Sequence, residues 1–318
     1  MEVRKTPNAG LGMFATAHIP RGTRLICESP LVVLSELADL PDLYRLVEAL
    51  PAERAAAFWE LAAYRRKAEE VDWIPAIRAS YDGPSEDFEA LCDRVLDAWL
   101  IYETNRFTVR SSNGARNKMG LFPKAARLNH SCRPNVFHRH NHYINRLTIH
   151  ALTDIDPGTE ICTSYIDIVH PTQERRRLLR HWGFKCTCDL CRSRNSANEH
   201  RRGKLETLVS RAKRDAAERS QKTNVPQWDH ANALGKLEEI LELMTEEELD
   251  EADTRAEILA LAADCALAIG WAGMARDWAL QALEIEERCL GSDGQEWEAA
   301  KARLDKVERA LEAETGSG

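Results

Sequence analysis

Arg127-Leu128-Asn129-His130-Ser131-Cys132-Arg133-Pro134-Asn135 sets an amide, an imidazole and a thiol almost side by side. Alone, an Asn-His pair in a loop is most often a turn satisfied by its own backbone. Its surroundings make it more than that. Downstream stands Gly158-Thr159-Glu160-Ile161-Cys162-Thr163-Ser164-Tyr165, a short strand behind the turn Asp156-Pro157-Gly158-Thr159, with a tyrosine at its end. A tyrosine so placed is by default a half-buried ring with its hydroxyl toward solvent. Upstream stands Gly10-Leu11-Gly12-Met13-Phe14, whose glycines let the backbone double back and approach a ligand closely, as a plain glycine-rich β-turn also does.

Further out, the pattern divides the chain. Residues 1–35 alternate short apolar runs with Gly and Pro, as in Arg24-Leu25-Ile26-Cys27 and Leu31-Val32-Val33-Leu34, which predicts strands joined by turns. Between residues 37 and 105 the spacing turns helical, through Leu43, Leu46, Val47 and Leu50 and then Leu91, Val95, Leu96 and Trp99. Strand signals return from Phe107 to Tyr165, notably in Leu147-Thr148-Ile149-His150-Ala151-Leu152. Ser193–Gln227 is highly charged and reads as a linker with an exposed helix. Beyond it the pattern is helical: 256–269 and 273–290, broken at Gly270-Trp271-Ala272-Gly273, then about 295–311. Ala275 and Ala282 would let helices approach closely. The expected organisation is α+β, with a β region (1–36 and 105–170), a helical insert (37–104), a cysteine segment (171–195) and a helical C-terminal domain (196–318), either a tetratricopeptide-like pair arrangement or a plain bundle.

Of nine cysteines, Cys186, Cys188 and Cys191 crowd into Phe184-Lys185-Cys186-Thr187-Cys188-Asp189-Leu190-Cys191. Disulfides within so short a stretch are sterically awkward, and three thiolates call for a metal, with zinc's tetrahedral preference wanting a fourth ligand.

Taken together, these segments resemble the SET-domain lysine methyltransferases, and within them the SET-and-MYND (SMYD-like) branch or its fungal relatives. The Asn-His-Ser-Cys-x-Pro-Asn string, the downstream Glu-x-x-x-x-Tyr and the Cys-x-Cys-x-x-Cys carry the likeness over roughly residues 3–35 and 103–192. The branch's zinc-binding MYND module has no counterpart in this sequence, so its partners are not carried over. The resemblance implies a SET β-fold with knot-like threading, an S-adenosylmethionine cofactor and a structural zinc in a post-SET segment. It implies that the backbone of Leu11, Gly12 and Met13 holds the cofactor's methionine part, that Asn129, His130 and Asn105 contact the cofactor, that Phe184 packs on adenine and that Tyr165 is catalytic. It implies that Cys132 completes the zinc set with Cys186, Cys188 and Cys191. Phe137 and Tyr143 are candidates for the walls of a lysine channel.

The net charge of −8 is uneven: 8 Lys+Arg against 22 Asp+Glu from His230 onward, and 35 against 29 before it. That argues against sequence-specific nucleic-acid binding and permits a basic, lysine-bearing peptide or protein as partner; solubility of exposed helices explains the acid equally well. No apolar run approaches the roughly 20 residues that span a bilayer. The expectation is a soluble monomer of the cytoplasm or nucleus. Two other functions fit the same motifs: a SET-fold scaffold without useful turnover, acting through the helical lobe, and a methyltransferase for a small-molecule amine.

Overall fold

A computed structural model describes the chain except residues 7–9, 36–37, 39, 66–73, 80–83, 85–86, 112–116, 194–195, 250–251 and 316–318. The boundaries expected at 36–37 and at 195 lie outside the described residues. The first apolar runs become β1 (Glu2–Lys5), β2 (Leu11–Phe14), β3 (Arg24–Glu28) and β4 (Val32–Leu34). The insert holds α1 (Leu40–Glu48), α2 (Ala52–Trp59), α3 (Ile74–Ala79) and α4 (Phe88–Asn105). Then follow β5 (Arg106–Val109), β6 (Lys118–Leu121), β7 (Asn129–His130), β8 (Val136–Asn141), β9 (Arg146–Ala151) and β10 (Glu160–Thr163). Of two short helices, α5 (Thr172–Leu179) precedes the cysteine string and α6 (Asp189–Arg192) carries its last member, Cys191. The chain continues through α7 (Ser196–Ser220), α8 (Gln227–Glu246), α9 (Glu257–Ala268), α10 (Ala272–Leu290) and α11 (Gln295–Thr315).

The strands form three small sheets, ordered β1-β2-β10-β7, β3-β9-β8 and β4-β6-β5. Every pairing is antiparallel except one: β7 runs parallel to β10, with Asn129 opposite Cys162 and His130 opposite Thr163. Met13, Ile26, Phe122, Leu128, Ile149 and Ile161 fill the β core. β9 is buried along almost its whole length rather than at alternate residues, because α10 covers β8 and β9 from the other side.

The insert's periodicity works as expected for Leu43, Val47 and Val95, which are buried, whereas Leu46 points to solvent. In the C-terminal part α8 packs on α9, α9 on α10 and α10 on α11, with Ala275 and Ala282 buried at the contacts. The stretch read as a linker with an exposed helix is instead one long helix with a buried face. α7 packs on α8 and buries Leu205, Val209 and Ala212, a helical stripe that its dense Lys, Arg and Glu residues obscure in the sequence. Phe137, Leu152 and Ile168 of the β part join the lobe's apolar core, so the two parts share a hydrophobic seam.

Candidate active site and metal centre

The site begins where three distant pieces of chain meet. β10 lies between β2, pairing Ile161 with Met13, and β7, pairing Cys162 with Asn129. Asn135 ties the crossing from the side: its Nδ2 donates to Glu160 O at 2.8 Å and its Oδ1 accepts the Cys162 N–H at 2.8 Å. Asn129 Nδ2 donates both to Leu11 O (3.1 Å) and to Glu160 Oε1 (2.7 Å). Gly12 is required at this spot. A Cβ there would lie 2.5 Å from Glu160 Oε1 and 2.8 Å from Asn129 Nδ2. Met13 sits one layer inward, its side chain in the β core and its backbone paired within the sheet.

His130 and Tyr165 are coupled across the same crossing. The Tyr165 N–H donates to His130 Nδ1 at 3.0 Å, which puts the ring proton on Nε2, 3.3 Å from Cys132 Sγ. Burial lowers His130 to about 4, so the ring is neutral at physiological pH. The Tyr165 hydroxyl donates to Leu128 O at 2.7 Å, and burial pushes its phenol above the usual range. The rings of His130 and Trp182 lie 5.4 and 5.2 Å from that of Tyr165, and Phe184 stands edge-on at 6.2 Å. Trp182 is anchored by donating Nε1–H to Thr104 O at 3.1 Å. The next residue, Gly183, has φ of +76° and lies against the Tyr64 ring where no side chain fits, so it directs Phe184 back toward His130, 5.9 Å away.

Asn105, the last residue of α4, fastens the insert: its Nδ2 donates to Ala62 O and Ile101 O, each at 2.7 Å. It lines a cavity of about 270 Å³ with Phe107, Leu128, Tyr165 and Trp182. A second cavity, about 650 Å³, opens between the β core and the helical lobe, with Phe137 in its wall. His138, Ser164 and Tyr165 line both cavities and form the partition between them. Tyr143 is not in either wall; its hydroxyl donates to Glu298 Oε2 at 2.9 Å on α11.

Cys132, Cys186, Cys188 and Cys191 converge with all four sulfurs within 4.8 Å of one another, and none is in a disulfide. Cys132 Sγ is 3.5 Å from Cys191 Sγ and 4.0 Å from Cys186 Sγ. Sulfurs about 2.3 Å from a central tetrahedral ion stand about 3.8 Å apart, so the spacing suits a metal and is too long for S–S bonds. Arg175 supplies positive charge beside the thiols. It is fully buried, with Nη2 3.9 Å from Cys191 Sγ and 2.8 Å from Thr172 Oγ1. An ion with four thiolates carries net negative charge, which this guanidinium offsets.

The structure thus gathers Leu11, Gly12, Asn129, His130, Tyr165 and Phe184 around one strand crossing, next to the thiols, and Asn105 and Tyr165 in one cavity wall. Arg175 and His138 carry no local sequence signal of their place here. Asn135 was visible inside its motif, but its tying role needed the register. Comparison with known proteins identifies the domain. A model of the SET domain matches residues 10–166. This is a SET-domain protein. The matched stretch contains β2 through Tyr165 with the insert inside it, and the thiol segment and helical lobe follow it in the chain. Over 186 residues, 58% of its length, the chain is 32% identical to the histone-lysine N-methyltransferase set5 of Schizosaccharomyces pombe. It is 41% identical over 92 residues to the N-lysine methyltransferase SMYD2-B of Danio rerio and 35% identical over 92 residues to SMYD2 of Homo sapiens, each match covering 29% of the chain. The matched parts make up 48% of set5 and 21% of each SMYD2 protein. Among the described residues no helix is long and apolar enough to cross a membrane.

Proposed function

We propose that this chain is a protein-lysine N-methyltransferase that uses S-adenosylmethionine, with one structural zinc on Cys132, Cys186, Cys188 and Cys191. The carrying observation is the partition of His138, Ser164 and Tyr165 between two cavities. It suits a reaction in which acceptor and donor approach from opposite sides. When bound, S-adenosylmethionine supplies a methyl group on a positively charged sulfur. The Leu11 carbonyl, Asn129, His130, Asn105 and the Phe184 ring are the groups we assign to holding it. The protein's main work is then alignment, because displacement at a methyl carbon needs nucleophile and leaving group in line.

Tyr165 is the aligning residue. Its hydroxyl, already fixed to Leu128 O, keeps an oxygen lone pair for the acceptor amine or for a weak contact with the polarised methyl. The acceptor must arrive neutral, whereas a free lysine has a pKa of about 10.4. Desolvation in the partition, beside a cationic sulfur, disfavours the ammonium. His130 is neutral and occupied at Nδ1, so it holds backbone rather than accepting the acceptor's proton.

The acceptor we assign is a lysine of a basic protein, with histone lysines the first to test in view of the name set5 carries. Incubation with labelled cofactor, histones and cell extract tests this. Transfer to protein lysine is expected, and Tyr165→Phe is expected to lower it about a hundredfold with cofactor affinity near wild type. Equal turnover by the variant would remove Tyr165 from its role, and label found only in small amines would replace the acceptor class.

A further inference from the structure

The larger cavity is walled by charged residues whose pairing is uneven. Its cations are engaged: Arg110 and Arg139 meet Glu296 at 2.6 and 3.3 Å, Lys213 meets Glu257 at 2.6 Å, and Arg303 meets Asp264 at 3.0 Å. Glu286, on α10, differs. Its Oε2 is enclosed by protein with no hydrogen-bond donor. Its Oε1 is not enclosed, and it too has no partner among the described residues. A carboxylate withdrawn from water without a donor is destabilised. Burial accordingly raises this carboxyl to about 7, although Arg139, Arg110 and Arg303 oppose the shift. Small side chains at Ala260, Ala282, Ala299 and Ala300 leave room in the same wall. The fold therefore keeps an open acceptor in the cavity that Tyr165 also lines.

We propose that Glu286 binds a second basic side chain of the acceptor peptide, an Arg or Lys flanking the lysine that is methylated. This rests on the methyltransferase reading above. A guest guanidinium or ammonium donates the hydrogen bond that Glu286 lacks, which Arg139, Arg110 and Arg303, acting on it only across space, do not supply. An acidic flank placed there would meet the Glu286 carboxylate at close range, so the same position discriminates against it.

The preference has a pH signature. The charged groups facing Glu286 are Arg110, Arg139, Arg303 and Glu296, with Lys213, Glu257 and Asp167 elsewhere in the cavity wall. The Glu286 carboxyl titrates near neutrality, at about 7. It is ionised above that value, so selectivity for a basic flank grows from about pH 6 to about pH 8.

The test uses the full-length protein and a set of lysine-centred peptides carrying Arg, Gln or Glu at each flanking position in turn. Binding is read by fluorescence anisotropy and transfer by labelled cofactor. One flanking position is expected to favour Arg over Gln by about tenfold in binding, and E286Q is expected to bring that ratio near one. A basic preference that survives E286Q, or binding with no basic preference at any position, overturns the proposal. Binding that follows the expected pattern without any transfer supports Glu286 and counts against the methyltransferase reading instead. Should E286Q lose its fold by circular dichroism, the Arg-to-Gln ratio of the wild-type protein at pH 6 and at pH 8 decides: a ratio unchanged with pH sinks the assignment.

Discussion

The thiol segment and the helical lobe adjoin each other and are stabilised by opposite means. Around the thiols the buried apolar side chains are few, chiefly Leu179 and Leu190 beside the cysteines themselves. Order there depends on four sulfurs, whatever ion they bind, and the buried guanidinium of Arg175. The lobe spreads its stabilisation over a long apolar core that includes Leu205, Leu234, Leu237, Ile240, Met244 and Leu259. Burial of that kind accumulates at roughly 25 cal/mol per Å², so no single contact dominates. A metal-type centre concentrates its contribution at one point. The segment that carries Trp182 and Phe184 to the site should therefore fail separately from the lobe.

The sharpest way to break that contrast is chemical. Cys188→Ser, or a strong chelator, is expected to lower transfer at least a hundredfold and to change Trp182 fluorescence, while the helical signal in circular dichroism stays largely intact. Simultaneous loss of both signals would mean that the two regions unfold as one. The same experiment expects one zinc per chain by metal analysis in the untreated wild-type protein; a folded preparation without metal would remove the centre.

A smaller effect is expected from Arg175→Met, which keeps the volume and removes the charge beside the thiolates. Metal affinity is expected to fall about tenfold, measured by competition with a chelating dye, with transfer following it at limiting metal. Affinity equal to wild type would assign Arg175 to helix packing alone. The smallest effect on transfer should come from the lobe. Leu237→Ala removes a nearly inaccessible side chain from α8 and is expected to destabilise by about 2–5 kcal/mol in thermal or urea unfolding. Below the transition, transfer should stay within about twofold, and a large loss there would show that lobe packing reaches the site.

What could be read from the sequence follows the range of the interactions. The strands at 24–28, 32–34 and 146–151 and the helices after residue 256 have local signatures, either short apolar runs between turns or a sustained helical period. The motif residues Asn129, His130, Tyr165 and the four cysteines lie in short strings, so their proximity was inferable by resemblance. Arg175 gave no such signal: within Glu174-Arg175-Arg176-Arg177 it looks like any residue of a solvated helix, and only packing singles it out as the buried one. Glu286 likewise sits in an acidic helix, and its isolation is created by Arg110 just after β5, Arg139 of β8 and Arg303 of α11, which pair elsewhere. The stripe on α7 was present at Leu205, Val209 and Ala212, but the charge around it outweighed it in a composition-led reading.

The strand order β1-β2-β10 also says something about synthesis. β1 and β2 leave the ribosome well before β10, the strand that pairs with β2 and lies about 150 residues later in the chain. At 5–20 residues per second the hairpin waits roughly 8–30 s with one edge unpaired and Met13 and Phe14 uncovered. That interval makes the nascent hairpin a natural client for chaperones, and any codon change that slows translation between residues 15 and 160 lengthens its exposure.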